Sequence, residues 1–144
     1  MRFGFIAPTI LANGSTPLGA AVSLAMAKIE DQKKRYKTNG IPYNRPWLFV
    51  MTDGAPTDTD WEKTAVACKL AEKRKEFVFF GIGIGGADLG VLSRFSARAP
   101  ALLKGMLFKE MFVWLSRSAT SASKAAQGTN TQLASPASWT DIPT

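Results

Sequence analysis

Two oxygen-bearing side chains lie where this sequence is best suited to chemistry. Asp53 directly follows the apolar run Trp47–Thr52, and Thr16 lies in a Gly-Ser-Thr-Pro-Leu-Gly stretch at residues 14–19. An apolar run of this length predicts a fully buried central strand. Asp53 then falls at the carboxyl end of the strand, where open α/β sheets bind ligands. A hydroxyl from Thr16 at the same edge would add a second hard oxygen ligand, of the kind that suits Mg²⁺.

The same residues have ordinary structural explanations. Acidic side chains after strands often cap the loops and helices that follow, and Thr16 before Pro17 is typical of a helix start. Asp58 and Asp88 are weaker candidates for shaping the loop surface, since such residues are more often helix caps. Either Asp58 or Asp60 is expected to cap the helix that follows the Asp53 loop.

A glycine-rich stretch offers a different function. The segment from Gly81 to Gly86 satisfies the pattern G-x-G-x-x-G between a predicted strand and a predicted helix, as in dinucleotide-binding folds. However, no acidic residue ends a second strand about 20 residues later, where a ribose partner is needed. The structural alternative is that these small residues let the strand pass close to its neighbours and turn sharply. A nucleotide-binding enzyme fragment stays an alternative.

The formal net charge of +7 raises nucleic-acid binding as a further alternative. The basic residues cluster at the ends of two predicted helices, namely Lys33, Lys34, Arg35 and Lys37 in the first and Lys73, Arg74 and Lys75 in the second. Cations at helix C-termini complement the helix dipole, so solvated helix ends explain these clusters well. Helix C-termini in such folds also lie at the opposite edge from Asp53, so a nucleic-acid surface would be separate from it.

Composition excludes several kinds of site. The chain contains no histidine, which excludes His-dependent catalytic triads and Cys/His zinc sites. The single cysteine, Cys68, excludes an internal disulfide and is typical of a reducing, cytoplasmic compartment. No stretch reaches the ~20 apolar residues that a membrane-spanning helix needs.

Hydrophobic periodicity and turn residues predict alternating strands and helices after an extended or irregular segment at residues 1–15. Predicted helices cover residues 16–38, 61–75, 89–95 and 109–118, and predicted strands cover residues 47–52, 77–84 and 101–103. This alternation predicts an α/β fold with a parallel sheet. Two strong strands and one weak strand are, on this reasoning, too few for a sheet covered on both faces.

The composition changes near residue 121. Residues 1–120 are expected to form the domain, and residues 121–144, rich in Ala, Ser, Thr and Gln, are expected to form a flexible tail. Trp139 and Ile142 are expected to attach the end of this tail to the domain.

Four ordered stretches resemble segments of von Willebrand factor A (VWA) domains, in particular those of compact bacterial proteins associated with tellurite-resistance and stress operons. The four stretches are residues 14–19, 49–58, 79–88 and 108–116. The resemblance implies that residues 1–120 are the C-terminal portion of an N-terminally truncated VWA domain. Its fold would be a partial doubly wound, Rossmann-like parallel sheet that lacks the first strands.

The resemblance also implies a function, which is a non-enzymatic protein-interaction domain with a metal-ion-dependent adhesion site. The family takes metal ligands from the Thr of its T-P-L-G loop and the Asp of its T-D-G loop, which correspond to Thr16 and Asp53. Its main ligands come from an Asp-x-Ser-x-Ser motif, which this sequence lacks. We therefore expect an incomplete site that binds Mg²⁺ weakly and that an acidic side chain of a protein partner completes.

Loss of the first strands would leave one side of the strand at Trp47–Thr52 without a neighbour. An apolar strand edge of this kind pairs readily with other chains. We therefore expect self-association through this edge, or completion of the sheet by another polypeptide.

Overall fold

The computed structural model describes residues 6–11, 13–125 and 132–140. Its elements in chain order are α1 (Leu18–Thr38), β1 (Trp47–Thr52), α2 (Trp61–Lys73), β2 (Val78–Gly83), α3 (Leu89–Ser93), β3 (Ala101–Leu102), α4 (Phe108–Lys124) and a 3₁₀ turn (Pro136–Ser138). Strands and helices alternate, so the predicted α/β class is confirmed. None of the helices in these ranges combines the length and the apolar character needed to span a membrane.

The three strands form one parallel sheet in the order β1-β2-β3. β1 and β2 pair along their whole length, from Trp47 opposite Val78 to Thr52 opposite Gly83. β3 pairs with β2 over two residues only. β1 therefore lies at an edge, and only Leu48 and Thr52 of its six residues are buried. The expectation of a fully buried central strand is wrong, because β1 has a neighbour on one side only within the described residues.

Both faces of this narrow sheet are nevertheless covered, contrary to the expectation from the strand count. Even-numbered residues of β1 and odd-numbered residues of β2 pack with α1 and α2, in a cluster built on Leu48, Val22, Phe79 and Cys68. The alternate residues pack with α4 around Phe80 and Trp114. This period-two division follows from the pleat of the strands. Three strands are sufficient here because aromatic side chains fill much of each layer.

The single cysteine is part of this packing. Cys68 is completely buried on α2. Burial, together with the nearby Glu72 carboxylate, raises the pKa of its thiol to about 12. Cys68 is therefore a packing residue with little thiolate character at neutral pH.

Helices α1 and α2 end in the same way. In α1, the amide N–H groups of Gly40 and Ile41 donate to carbonyl groups of the last turn, and Gly40 has a φ of +64°. In α2, Lys75 and Glu76 donate in the same pattern, and Lys75 has a φ of +62°. This is the Schellman arrangement, in which a left-handed residue ends the helix. α2 therefore stops at Lys73, two residues before the predicted end.

A half-buried carboxylate supports the side of β2 that faces away from β1. Glu72 accepts a hydrogen bond from the Phe79 N–H at 2.9 Å, and the Ser96 hydroxyl donates to its other oxygen. β3 is too short to reach Phe79, so the side chain of Glu72 replaces the missing strand partner. The Ser96 hydroxyl in turn accepts a hydrogen bond from the Arg98 N–H, which holds the segment that leads into β3.

The C-terminal region differs from the predicted tail. α4 continues to Lys124, four residues beyond the predicted domain end, and residues 132–140 pack against the α4 side of the sheet. Trp139 is buried, as expected, and its carbonyl accepts from the Lys104 N–H at 2.8 Å. The Trp114 indole donates to the Ala134 carbonyl at 2.6 Å. The expectations for Ile142 and for residues 1–5 lie outside the described residues.

Candidate functional site

The carboxyl end of β1 is shaped by Thr52. Its side chain is buried, and its hydroxyl bonds both the N–H and the carbonyl of Gly54, at 3.3 and 3.1 Å. This local turn reverses the chain immediately after the strand. As a result, Asp53 is exposed at the rim of the sheet, and it makes no hydrogen bond or ion pair with the described residues.

The Thr16 loop lies against the same turn. The Thr16 carbonyl accepts hydrogen bonds from the Leu18 N–H at 2.8 Å and from the Thr57 N–H at 2.9 Å, which joins the loops before α1 and after β1. A Cβ placed on Gly54 would lie 3.9 Å from the Thr16 hydroxyl oxygen. The half-buried Thr16 hydroxyl therefore lies beside Gly54, the residue that follows Asp53.

Asp58 has a role that the sequence did not reveal. Its carboxylate accepts hydrogen bonds from the Gly19 and Ala20 N–H groups, at 3.3 and 3.0 Å, and so caps α1 from 39 residues away. The expected caps are wrong, since Thr16 makes no capping bond at α1 and neither Asp58 nor Asp60 caps α2. Asp60 pairs instead with Lys63 at the surface.

Asp58 can cap α1 because the start of α1 lies very close to the start of α2. A Cβ on Gly19 would come within 2.6 Å of the Trp61 Cα and within 2.5 Å of an Asp58 carboxylate oxygen. Only glycine permits this contact, which brings the start of α1 onto the loop before α2. Asp58 thereby reaches the free N–H groups at the positive end of the α1 dipole.

The rim supplies few ligands for a metal ion. Thr16 offers a neutral hydroxyl oxygen and Asp53 a carboxylate, while Asp58 is committed to capping α1. Residues 6–11, 13–125 and 132–140 contain no group of three or more acidic or cysteine side chains arranged to hold a metal. Mg²⁺ in proteins often keeps several waters and takes only one or two carboxylates. A hydroxyl and a carboxylate oxygen are ligands of the type that Mg²⁺ takes, and Mg²⁺ binding at the rim stays a prediction.

The glycine-rich stretch is packed rather than open. A Cβ on Gly83 would lie 2.6 Å from a Leu89 methyl carbon and 3.1 Å from the Ala87 Cβ. Gly85 has a φ of +58°, which the turn after β2 requires. Asp88 then caps α3 by accepting from the Gly90 and Val91 N–H groups. Close packing and a carboxylate at the helix start favour the structural explanation over a phosphate site.

The basic clusters lie at the other edge of the sheet. Lys33 is buried near the end of α1, where it pairs with Glu30 and donates to the Glu76 carbonyl just before β2. Arg74 pairs with Glu76 at 2.7 Å. All members of the clusters except Lys33 are exposed, namely Lys34, Arg35, Lys37, Lys73, Arg74 and Lys75. Any polyanion contact would thus be remote from Thr16 and Asp53.

A groove runs beside the rim. It has a volume of about 400 Å³ and is bounded by residues 15–18 and the inner face of α1 on one side, and by β1 from Leu48 to Thr52 on the other. Its floor is the edge of β1 that pairs with no other strand in the described ranges. The sequence predicts an open edge but not this groove, because the position of α1 over the edge depends on tertiary packing.

Comparison with protein-family models, with curated proteins and with solved structures gives no match.

Proposed function

We propose that this chain is a non-enzymatic protein-interaction domain of the VWA type, with an incomplete metal-ion-dependent adhesion site at Thr16 and Asp53. The observation that carries the proposal is the contact between two loops at the carboxyl end of β1, which brings the Thr16 hydroxyl beside the Asp53 turn. The parallel α/β architecture and the four resembling sequence stretches support it. The resemblance also favours a bacterial stress or tellurite-resistance system as its setting.

The chemistry of the rim suits binding rather than covalent catalysis. The chain has no histidine, and its only thiol is buried with a raised pKa. Asp53 is exposed, so its carboxylate can exchange ligands with solvent or with another protein. Thr16 would contribute a neutral oxygen and Asp53 a negative one to Mg²⁺. A carboxylate from a partner would then replace a metal-bound water and join the two proteins.

Weak metal binding is part of the proposal. Two protein oxygens, one of them neutral, fill a minority of the six positions that Mg²⁺ requires. We therefore expect a dissociation constant for Mg²⁺ in the millimolar range for the chain alone. An acidic partner should raise the affinity, because its carboxylate adds both a ligand and a negative charge.

Amide chemical shifts of the ¹⁵N-labelled chain test the proposal. Mg²⁺ titration should move the resonances of Thr16, Asp53, Gly54 and Thr57 and leave those of α4 in place. A glutamate-containing peptide should move the same resonances further, and only when Mg²⁺ is present. Asp53→Asn should abolish both responses.

The matched control is Asp31→Asn, which removes an exposed carboxylate on α1 away from the rim. It should respond to Mg²⁺ as the unmodified chain does. Equal responses in the Asp53→Asn variant, or no response in the unmodified chain, would refute the proposed site. Micromolar, Asp53-dependent affinity would show a complete ligand set and contradict the weak site proposed here.

A further inference from the structure

We propose that the chain forms a two-fold dimer in which residues 6–11 of each copy pair as a strand with the open edge of β1 in the other copy. The two contacting parts are called the arm (residues 6–11) and the β1 groove (residues 15–18, the inner face of α1, and Leu48 to Thr52). The proposal does not depend on metal binding at the rim.

Within the described residues, no strand pairs with the outer side of β1. The Pro46 carbonyl accepts from the Val78 N–H of β2 at 2.8 Å. The Thr52 carbonyl accepts from the N–H of Ile84, which directly follows β2, at 2.9 Å. In a parallel strand, the backbone N–H and carbonyl groups of alternate residues point to opposite neighbouring strands. The backbone groups of the even-numbered residues of β1 therefore point to β2. The N–H and carbonyl groups of Trp47, Phe49 and Met51 therefore point to the open edge.

The surroundings of this edge suit an added strand. The α1 side chains that line the groove are apolar, namely Leu18, Ala21, Val22 and Ala25. Met51, on the other face, is 44% exposed. A strand laid along β1 would pair its backbone with the free groups. Its alternate side chains would fill the groove and cover the exposed side of Met51.

The arm presents the matching surface. Ile6, Ile10 and Leu11 are 89%, 86% and 76% exposed, so these side chains do not pack on the domain that carries them. The arm has six residues, the same number as β1, and no regular secondary structure. Six residues in a strand span roughly 20 Å. Arm and edge therefore match in length.

Pro8 is compatible with this pairing. Proline lacks an N–H, so it is tolerated in an edge strand when its nitrogen faces outward. If Ala7, Thr9 and Leu11 turn their backbone groups toward β1, Pro8 faces away from it. The added strand becomes the new edge of the sheet, and Pro8 then blocks further pairing.

A second copy is the occupant that these observations favour. Each copy presents both an exposed apolar arm and an open β1 groove. In a two-fold dimer the arm of each copy can therefore occupy the groove of the other, which leaves neither surface exposed. Neither the arm nor the residues lining the groove include a charged side chain. The net charge of +7 is therefore not concentrated where the two copies meet.

Molar mass of the full chain, measured by analytical ultracentrifugation and native mass spectrometry, tests the exchange. The unmodified chain should be a dimer at tens of micromolar. Ile10→Asp in the arm and Met51→Lys at the edge should each raise the dimer dissociation constant by about 100-fold or more, because each change acts twice in a symmetric dimer. The matched control is Val66→Lys, an exposed apolar position on α2 outside the groove, which should stay dimeric.

Mixing the two variants gives the sharper result. An Ile10→Asp copy retains an intact edge, and a Met51→Lys copy retains an intact arm, so the mixture should form heterodimers held by one arm. Each variant should still unfold in one cooperative thermal transition, which shows that it folds. The two variants that lose the dimer should melt below Val66→Lys, because association stabilises the folded chain. A monomeric unmodified chain, a dimer unaffected by Ile10→Asp, or a mixture without heterodimers would each overturn the exchange. The first result would indicate that the arm closes its own groove, and the second that two edges pair directly.

Discussion

Removal of the Asp58 carboxylate should destabilise the fold by weakening the start of α1. In the structure, its two oxygens accept from the Gly19 and Ala20 N–H groups at 3.0–3.3 Å. Loss of a capping side chain costs about 1 kcal/mol, and loss of a negative charge at a helix N-terminus costs about 0.5 kcal/mol more. The contact is half-buried, so we expect Asp58→Ala to lower the free energy of unfolding by about 1.5–2 kcal/mol.

Urea denaturation followed by tryptophan fluorescence measures this change, since the chain contains four tryptophans. Asp58→Asn keeps one acceptor oxygen and loses the charge, so its cost should be about half as large. At the unfolding midpoint, Asp58→Ala should lower the melting temperature by roughly 4–8 °C for a chain of this size.

Asp53→Ala is the matched control. It removes a carboxylate from the same loop, and this carboxylate caps no helix. Its cost should stay within ~0.5 kcal/mol, as for other exposed side chains without partners. The reasoning fails if Asp58→Ala leaves the urea midpoint unchanged. It also fails if Asp53→Ala is as destabilising as Asp58→Ala, since the rim would then be structural.

Two further changes test other parts of the fold. Lys75→Gly should raise the free energy of unfolding by roughly 0.5–1 kcal/mol in the same urea assay, because glycine adopts the left-handed conformation at the end of α2 without steric cost; a lower midpoint would contradict this. The Cys68 thiol has its pKa raised to about 12 in the folded chain, against an ordinary value of 9.0. Above pH 9 only the unfolded thiol ionises, so stability should fall as pH rises from 9 toward 12, by up to ~1.4 kcal/mol per pH unit. Cys68→Ala should show a shallower decline over that range, and identical slopes would refute the assignment.

Local signals were sufficient to predict most of the elements. Apolar runs and helical periodicity located the strands and helices, because those patterns reflect which residues the layers bury. Gly40 correctly marked the end of α1, since glycine is the usual left-handed residue there. Lys75 performs the same role in α2 without any such signal. The end of α2 was therefore predicted two residues late.

Long-range contacts account for the larger differences. Asp58 caps a helix that begins 40 residues earlier, and no local pattern distinguishes this from capping of the next helix. Glu72 supplies the hydrogen bond that a longer β3 would have given to Phe79. Residues 132–140 have the composition of a tail, but the burial of Trp139 fixes them against the sheet. Each of these contacts depends on tertiary packing that sequence patterns do not encode.

Asp58 and Thr52 make the loop contacts that would otherwise engage Thr16 and Asp53. A helix start needs acceptors for its free N–H groups, and Thr16 is the local residue that would ordinarily supply one. Because Asp58 supplies them from the far side of Gly19, the Thr16 hydroxyl is left at the rim beside Gly54. Asp53 is similarly left exposed, because the Thr52 hydroxyl holds the turn. Two side-chain oxygen groups thus remain available at one edge for the proposed Mg²⁺. Under the proposal, water or a carboxylate of a partner supplies the remaining ligands.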